Sequence, residues 1–362
     1  MTHIAILTPC LVEGDAVGND VIGMHKTLVE QGYDAQLFAE TWDIPTYKVN
    51  SVHHIRKFLT QASDILIYHY SIGWDLGLQL LQQLRCKRIV KYHNVTPPEF
   101  YEGISEAHTQ ACRSGQQQLK RVIAANCDLY LADSEYNAQE LVLQGVNPNN
   151  CRVLPPFHHI DRLQNIEADL TVIENYLDGK VNILMVGRVA PNKGHLELIT
   201  AFKLYHDEYN PNSRLLIVGG KDARLKQYTD LLEKKVEFWN LQQNVVFTGG
   251  VSDKELKSYY LVSHIFMITS EHEGFCVPLV ESMAIKLPIV AFSSSAIPYT
   301  VSNTGLVWEE RDPYLLAGSV DYLVRNESIS YKLSEMGENR YTENFANTKI
   351  AARFRDILNN FL

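Results

Sequence analysis

Two glutamates, Glu273 and Glu281, are separated by seven residues in the stretch Ser270 to Ala284. The apolar run before them, His264 to Thr269, has the character of a buried strand. Pro278 suits the start of a helix, because its fixed φ fits there and its missing N–H loses no partner. Glu281 then lies one turn inside that helix and Glu273 lies in the loop ahead of it. The backbone N–H groups of Gly274, Phe275 and Cys276 fall between them, at a helix start that favours anions. Two carboxylates flanking an anion cradle at the carboxyl end of a strand match the place where open α/β sheets bind ligands. Taken alone, Glu281 equally well does no more than complement the helix macrodipole.

A second stretch points to the same chemistry. Gly187-Arg188-Val-Ala-Pro-Asn-Lys193-Gly194 follows the apolar run Val181 to Val186 and precedes a helical pattern from His195 to about Tyr209. Gly187 lets the chain turn at the strand end. Arg188 and Lys193 share one loop, so both cations can converge on a helix N-terminus. An arginine fork and a lysine point charge suit a diphosphate. By themselves they also read as two ordinary cations on a solvated loop.

These loops need a framework of strands and helices. In the first half, apolar runs at His3 to Thr8, Asp34 to Ala39, Ser63 to His69, Arg88 to His93, Asp128 to Ala132 and Arg152 to Leu154 predict strands. Helical patterns at Val21 to Gln31, Trp74 to Leu84, Ser105 to Ala125 and Glu135 to Leu143 alternate with them. Such alternation predicts a parallel sheet covered on both faces. Gly14 and Gly18 sit in the first strand-to-helix loop, a place where a ligand's phosphates can approach the backbone. The loop is not G-x-G-x-x-G, so a dinucleotide reading is weak, and a plain turn with Asp20 near a helix start accounts for it too. His69 and His93 end strands; His69 reads as a structural hydrogen-bonder. Pro155 to about Gly179 is polar and non-periodic and reads as a linker. The alternation then repeats, with strands at Arg214 to Gly220, Val245 to Gly249 and Leu287 to Phe292, and Ser252 or Asp253 capping a helix to Leu261. The expected domains are residues 1–165 with 345–362, and residues 166–344. Ile350, Phe354, Ile357, Leu358 and Phe361 give the last helix one apolar face.

The E-x7-E stretch resembles the signature S-x-x-E-G-F-G-x-P-x-x-E-A-M-A of retaining nucleotide-sugar glycosyltransferases with the GT-B fold, of the large glycosyltransferase family 4. Cys276 replaces the second glycine and Ser282 an alanine. The likeness covers nearly the whole chain but is specific only at the two C-terminal motifs. It implies two Rossmann-like α/β domains with parallel sheets facing across a cleft, the last helix crossing back to the first. It implies a nucleoside-diphosphate sugar as donor and a glycan or lipid-linked acceptor, as in polysaccharide or glycolipid assembly. Arg188 and Lys193 would stabilise the leaving diphosphate, Glu281 would hold the ribose, and Glu273 the donor sugar. The amides of Gly274, Phe275 and Cys276 would line that site. Gly219 and Val251 would border the base, and the loop of Gly14 would face the cleft. His93 aligns with the family's cleft histidine beside the donor sugar and leaving phosphate. Relatives carry Gly-Gly-x-Pro-Glu after the next strand. Here Ser293-Ser-Ser-Ala296-Ile-Pro298-Tyr299 stands in its place, with Pro298 aligned, Tyr299 in place of the glutamate and both glycines missing.

Composition narrows the alternatives. A net charge of −9 over 362 residues argues against a nucleic-acid partner. Six cysteines lie scattered without C-x-x-C or zinc spacing, as in a reducing compartment. Neither a leader pattern nor a membrane-length apolar run is evident, so the expectation is a cytoplasmic protein. Arg85, Lys87, Arg88 and Lys91 form a small basic cluster. It reads as solvated surface, with weak peripheral contact at the inner membrane face as the alternative. The chain has no Asp-x-Asp to hold a divalent ion, and the expectation is no cofactor and no required metal. Competing readings are another GT-B reaction (epimerase or phosphorylase), a catalytically silent partner subunit that binds sugar nucleotide, and, more distantly, a dehydrogenase. The pattern leaves base, sugar, acceptor and oligomeric state open.

Overall fold

The structure, a computed structural model, describes residues 2–12 and 14–362. The chain divides into two compact units. The first comprises residues up to Glu99, His108–His159 and Ala346–Leu362; the second comprises Phe100–Ala107 and Ile160–Phe345.

The first unit is built on β1 (His3–Val12), β2 (Asp34–Asp43), β3 (Val49–Ser51), β4 (Ile65–Tyr70), β5 (Lys87–Tyr92), β6 (Leu129–Ala132) and β7 (Cys151–Val153). They form one parallel sheet in the order β3-β2-β1-β4-β5-β6-β7. Residue alternation sends Ile4, Ile6, Ile65 and Ile67 into one core and Ala5, Leu7, Leu66 and Tyr68 into another, so helices cover both faces. The last helix, Asn347–Phe361, places Ile350, Phe354 and Leu358 in the first of these cores, with Ile357 and Phe361 packed beside them. Lys87 Nζ donates to the carbonyl of Phe361 at 3.2 Å and fixes the chain end to the sheet.

The second unit is built on β8 (Val181–Val186), β9 (Ser213–Val218), β10 (Val245–Gly249), β11 (Ile265–Ile268), β12 (Ile289–Phe292) and β13 (Leu306–Trp308). They too are all parallel, in the order β10-β9-β8-β11-β12-β13. Several of its helices start with side-chain caps. Ser252 forms a capping box with Glu255, and Asp312 accepts from Tyr314 N at 2.8 Å.

Several boundaries differ from the sequence reading. β1 and β2 run on to Val12 and Asp43, because beyond Leu7 strand β1 pairs only with β2. There it has a free edge, and an edge tolerates Pro9. The first helix begins at Ala16, not Val21: Asp15 caps it by accepting from Gly18 N at 3.2 Å. Asp20 therefore lies inside the helix and is fully buried. The stretch expected as linker contains two short helices, Ile160–Asn165 and Leu170–Tyr176. The units divide after His159 and Phe345, where the sequence suggested 165 and 344. Phe100–Ala107 goes with the second unit because Tyr101 OH donates to Asn192 Oδ1 at 3.2 Å, Phe100 lies against the His272 ring and Ile104 packs on the core of the second sheet.

Candidate functional site

The two motifs meet at the carboxyl ends of β8 and β11, which are hydrogen-bonded neighbours in the second sheet. After β8 the chain turns through Gly187 and Arg188 into a short turn, Pro191–Lys193, and then the helix His195–Glu208. After β11 it runs through Ser270–Cys276 into the helix Val277–Ala284. Three contacts lock the loops together. Glu271 N donates to Asn192 O at 2.8 Å, and Asn192 Nδ2 donates to His272 O at 3.2 Å. Thr269 Oγ1 donates to Gly194 O at 2.8 Å. Gly194 has φ +65° and sits so close that an added Cβ would fall 2.2 Å from the Thr269 carbonyl oxygen. Only glycine satisfies both conditions.

Locking the loops brings Lys193 to Glu273: Nζ lies 2.6 Å from Oε1, with the glutamate side chain only 8% exposed. Arg188 is exposed and makes no hydrogen bond or ion pair among the described residues. It is a cation held ready at the rim, whereas Lys193 is already paired. The amides of Gly274, Phe275 and Cys276 donate to nothing among the described residues, so the helix start at Val277 keeps its unsatisfied N–H groups. Cys276 adopts φ +73° there, the left-handed conformation that suits the glycine it replaces. Ser282 absorbs its own replacement by bonding back to the Pro278 carbonyl at 2.8 Å.

Glu281 lies on the helix Val277–Ala284 and is 3% exposed. Its Oε2 accepts from Tyr260 OH at 2.6 Å. Gly219 and Val251 follow β9 and β10. An added Cβ on Gly219 would fall 2.0 Å from the Gly187 carbonyl oxygen, so this glycine lets the two strand ends close on each other. It also bridges to Gly249, donating to its carbonyl at 3.1 Å. Val251 is half-buried beside them. The serine run that departs from the family pattern supports the first glutamate: Glu273 N donates to Ser295 Oγ at 2.7 Å, and Ser294 Oγ donates to the Ser270 carbonyl. Thr300 Oγ1 reaches the Phe275 carbonyl at 2.9 Å. Burial holds His272 down to about 4 and His195 down to about 3, so both are neutral beside the loops. Burial also pushes the Cys276 thiol well above its usual range, aided by Glu273, so it is a packing group rather than a nucleophile.

Gly14 and His93 belong to the first unit. Gly14 is exposed in the turn before the helix Ala16–Glu30, with φ +82°. His93 enters a buried polar cluster. Its Nδ1 lies 2.9 Å from Asp133 Oδ2 and its Nε2 lies 2.9 Å from His69 Nδ1, leaving the ring 5% exposed. Lys91 Nζ pairs with Asp133 and donates to the Leu154 carbonyl. Asp20 lies opposite, its Oδ2 3.7 Å from both imidazoles and 3.8 Å from Lys91 Nζ. Asp20, His69 and His93 are a set that could hold a metal ion. Here, however, Lys91 supplies the compensating cation and the imidazoles bond to each other. Burial raises the Asp20 carboxyl against the pull of Lys91 and His93. Burial also works to raise Asp133, but His93 and Lys91 outweigh it and hold that carboxyl low. Sequence reasoning missed Asp133, left Asp20 as a residue near a helix start, and read Lys91 as part of a solvated basic cluster, whereas Lys91 is fully buried. The one signal was a lysine inside the apolar run Ile89-Val-Lys-Tyr92.

Comparison with known proteins follows the same lines. The model of the family described as glycosyl transferases group 1 matches residues 166–342. The match covers just under half of the chain. The mannosylfructose-phosphate synthase of Agrobacterium fabrum is 28% identical over 65% of this chain and 53% of its own length. The capsular polysaccharide biosynthesis glycosyltransferase CapM of Staphylococcus aureus is 28% identical over 49% of this chain and 45% of its own. The chain thus spans about half the length of the curated relatives it matches. Among solved structures, the sucrose-phosphate synthase of Thermosynechococcus elongatus superposes with a TM-score of 0.75 at 18% identity, covering 99% of both chains. Anabaena Alr3699/HepE, in complex with UDP and glucose, gives 0.76 at 14% identity, covering 99% of this chain and 100% of that one. These likenesses place the fold in the GT-B class, two parallel-sheet Rossmann-like units. The matched residues include Arg188, Lys193 and Glu273 on the two locked loops and Glu281 on the helix that follows the second. No helix among the described residues is long and apolar enough to cross a membrane.

Proposed function

We propose that the protein transfers a sugar from a nucleoside-diphosphate sugar to a hydroxyl of a glycan or lipid-linked glycan, with retained anomeric configuration. The observation that carries this reading is the locking of the two loops through Asn192 and Gly194. It brings Lys193 to Glu273, next to the amides of Gly274, Phe275 and Cys276 that donate to nothing among the described residues, with Arg188 on the first loop and Glu281 on the helix after the second. A phosphate in that cradle attracts Arg188 and draws on Lys193, while the amides offer fixed dipoles. Glu273 then accepts from donor-sugar hydroxyls, and Glu281 from the ribose. In the step itself the bond from the anomeric carbon to the leaving phosphate oxygen breaks. A bond to the acceptor oxygen forms on the same face, and the acceptor proton passes to the leaving phosphate. The chain's part is orientation and charge stabilisation.

Fixed charge from Arg188, Lys193 and the helix start does what a bound divalent ion does elsewhere, so no metal is required in this reading. UDP stands in the structural relative HepE, which makes UDP-sugars the first donors to test. The relative CapM makes surface polysaccharide the first acceptor class. The test is release of nucleoside diphosphate from a panel of sugar nucleotides, with product anomers assigned by NMR. Retention with an acceptor present supports the proposal. Inversion, or release that depends on free phosphate, overturns it in favour of another reaction.

A further inference from the structure

Glu281 does not hold its place by helix geometry alone. Tyr260, on the helix Asp253–Leu261, is 1% exposed and aims its hydroxyl at Glu281 Oε2, 2.6 Å away. Its ring is fixed from behind by stacking on Phe266 of β11, with centroids 6.4 Å apart and planes 25° apart. The pair is short, buried and charge-assisted, the strong kind of hydrogen bond. We infer that Tyr260 is a positioning residue for the nucleotide: its hydroxyl holds the Glu281 carboxylate oriented toward the ribose hydroxyls. The inference rests on the ribose role given to Glu281 above.

The chemistry is one-directional. Burial, reinforced by the Glu281 charge, raises the Tyr260 phenol well above its usual range, so it remains a donor. A carboxylate so deep in the protein favours its neutral form unless donors favour the charged one. A protonated Glu281 would present a hydroxyl where the ribose needs an acceptor. Tyr260 therefore sets the direction of Glu281 without touching the ligand.

Tyr260→Phe keeps the ring and removes the donor. Calorimetry would first find which of UDP, GDP and ADP binds the full chain, then compare that nucleotide with its 2′,3′-dideoxy form. The wild type should prefer the ribose form by about tenfold or more, the scale of a lost hydrogen bond to a charged group. Tyr260→Phe should weaken the ribose form by a similar factor and leave the dideoxy form unchanged. In a Glu281→Gln background the same substitution should have no further effect. If Tyr260→Phe weakens both forms equally, or keeps the full preference for ribose, Tyr260 is only a packing residue and the inference fails. If the wild type itself shows no preference for ribose, or binds none of the three nucleotides, the role given to Glu281 fails instead.

Discussion

Arg188 and Lys193 look alike in the sequence and differ in the fold, and the difference sets what each substitution costs. Arg188 is exposed and unbonded among the described residues, so Arg188→Ala should leave the melting temperature unchanged. It should weaken nucleoside-diphosphate binding by about 1.5–3 kcal/mol, the worth of a charge-assisted contact. Lys193→Ala should do that and also destabilise the fold by about 1–3 kcal/mol, because it leaves the buried Glu273 carboxylate without its partner. Calorimetry and thermal melts on both variants check this, and equal melting temperatures would contradict it. The glutamates divide in the same way: Glu273→Gln should reduce transfer while nucleoside diphosphate still binds, and Glu281→Gln should weaken the bare nucleotide. The neutral histidines add a pH signature. Folding lowers His195 to about 3 and His272 to about 4 from an unfolded value of 6.5. Between those values the unfolded chain holds more protons, so stability falls as pH drops below 6.5. His195→Leu should flatten that acid limb in melts taken across pH.

At the scale of elements, the turns that aim these residues depend on backbone space. Gly219→Ala and Gly194→Ala should each cost at least about 2 kcal/mol of stability, because their added carbons would meet carbonyl oxygens of a neighbouring strand end. Cys276→Gly should go the other way at the backbone, relieving a left-handed residue worth about 1–2 kcal/mol, offset by the lost burial of the thiol. Urea melts measure all three. Much of this was legible in the sequence, because strands, glycine turns and the Pro278 helix start write themselves in local pattern. The spacing of Arg188 and Lys193 lies within one loop, and that of Glu273 and Glu281 runs from one loop into the helix it starts, so both could be read. Asn192 could not, since its work is to bind a loop 80 residues away. Tyr260 reads as one more aromatic on a helix. The serine run at Ser293 was visible as a departure, but its contact with the Glu273 amide needed the fold.

At the scale of the whole molecule, the first unit offers a polar cluster drawn from neighbouring strand ends, with His69 and Lys91 in register on β4 and β5. His93 bonds Asp133 and His69 there, so His93→Ala should destabilise the protein by about 1–3 kcal/mol. Nucleotide affinity should stay intact, because the proposed cradle lies in the other unit, while turnover should fall if His93 serves the reaction. Full turnover in that variant would leave His93 a structural residue. The central claim is that residues of the locked loops hold a nucleoside diphosphate by fixed protein charge. The most direct measurement is calorimetric titration of the full chain with UDP, GDP and ADP in excess chelator, repeated with Arg188→Ala and Lys193→Ala combined. The account predicts that at least one nucleotide binds without metal, and that the double variant loses at least about a hundredfold in affinity that added Mg²⁺ does not restore. Binding that vanishes on chelation and returns with Mg²⁺, or equal affinity in the double variant, would contradict it.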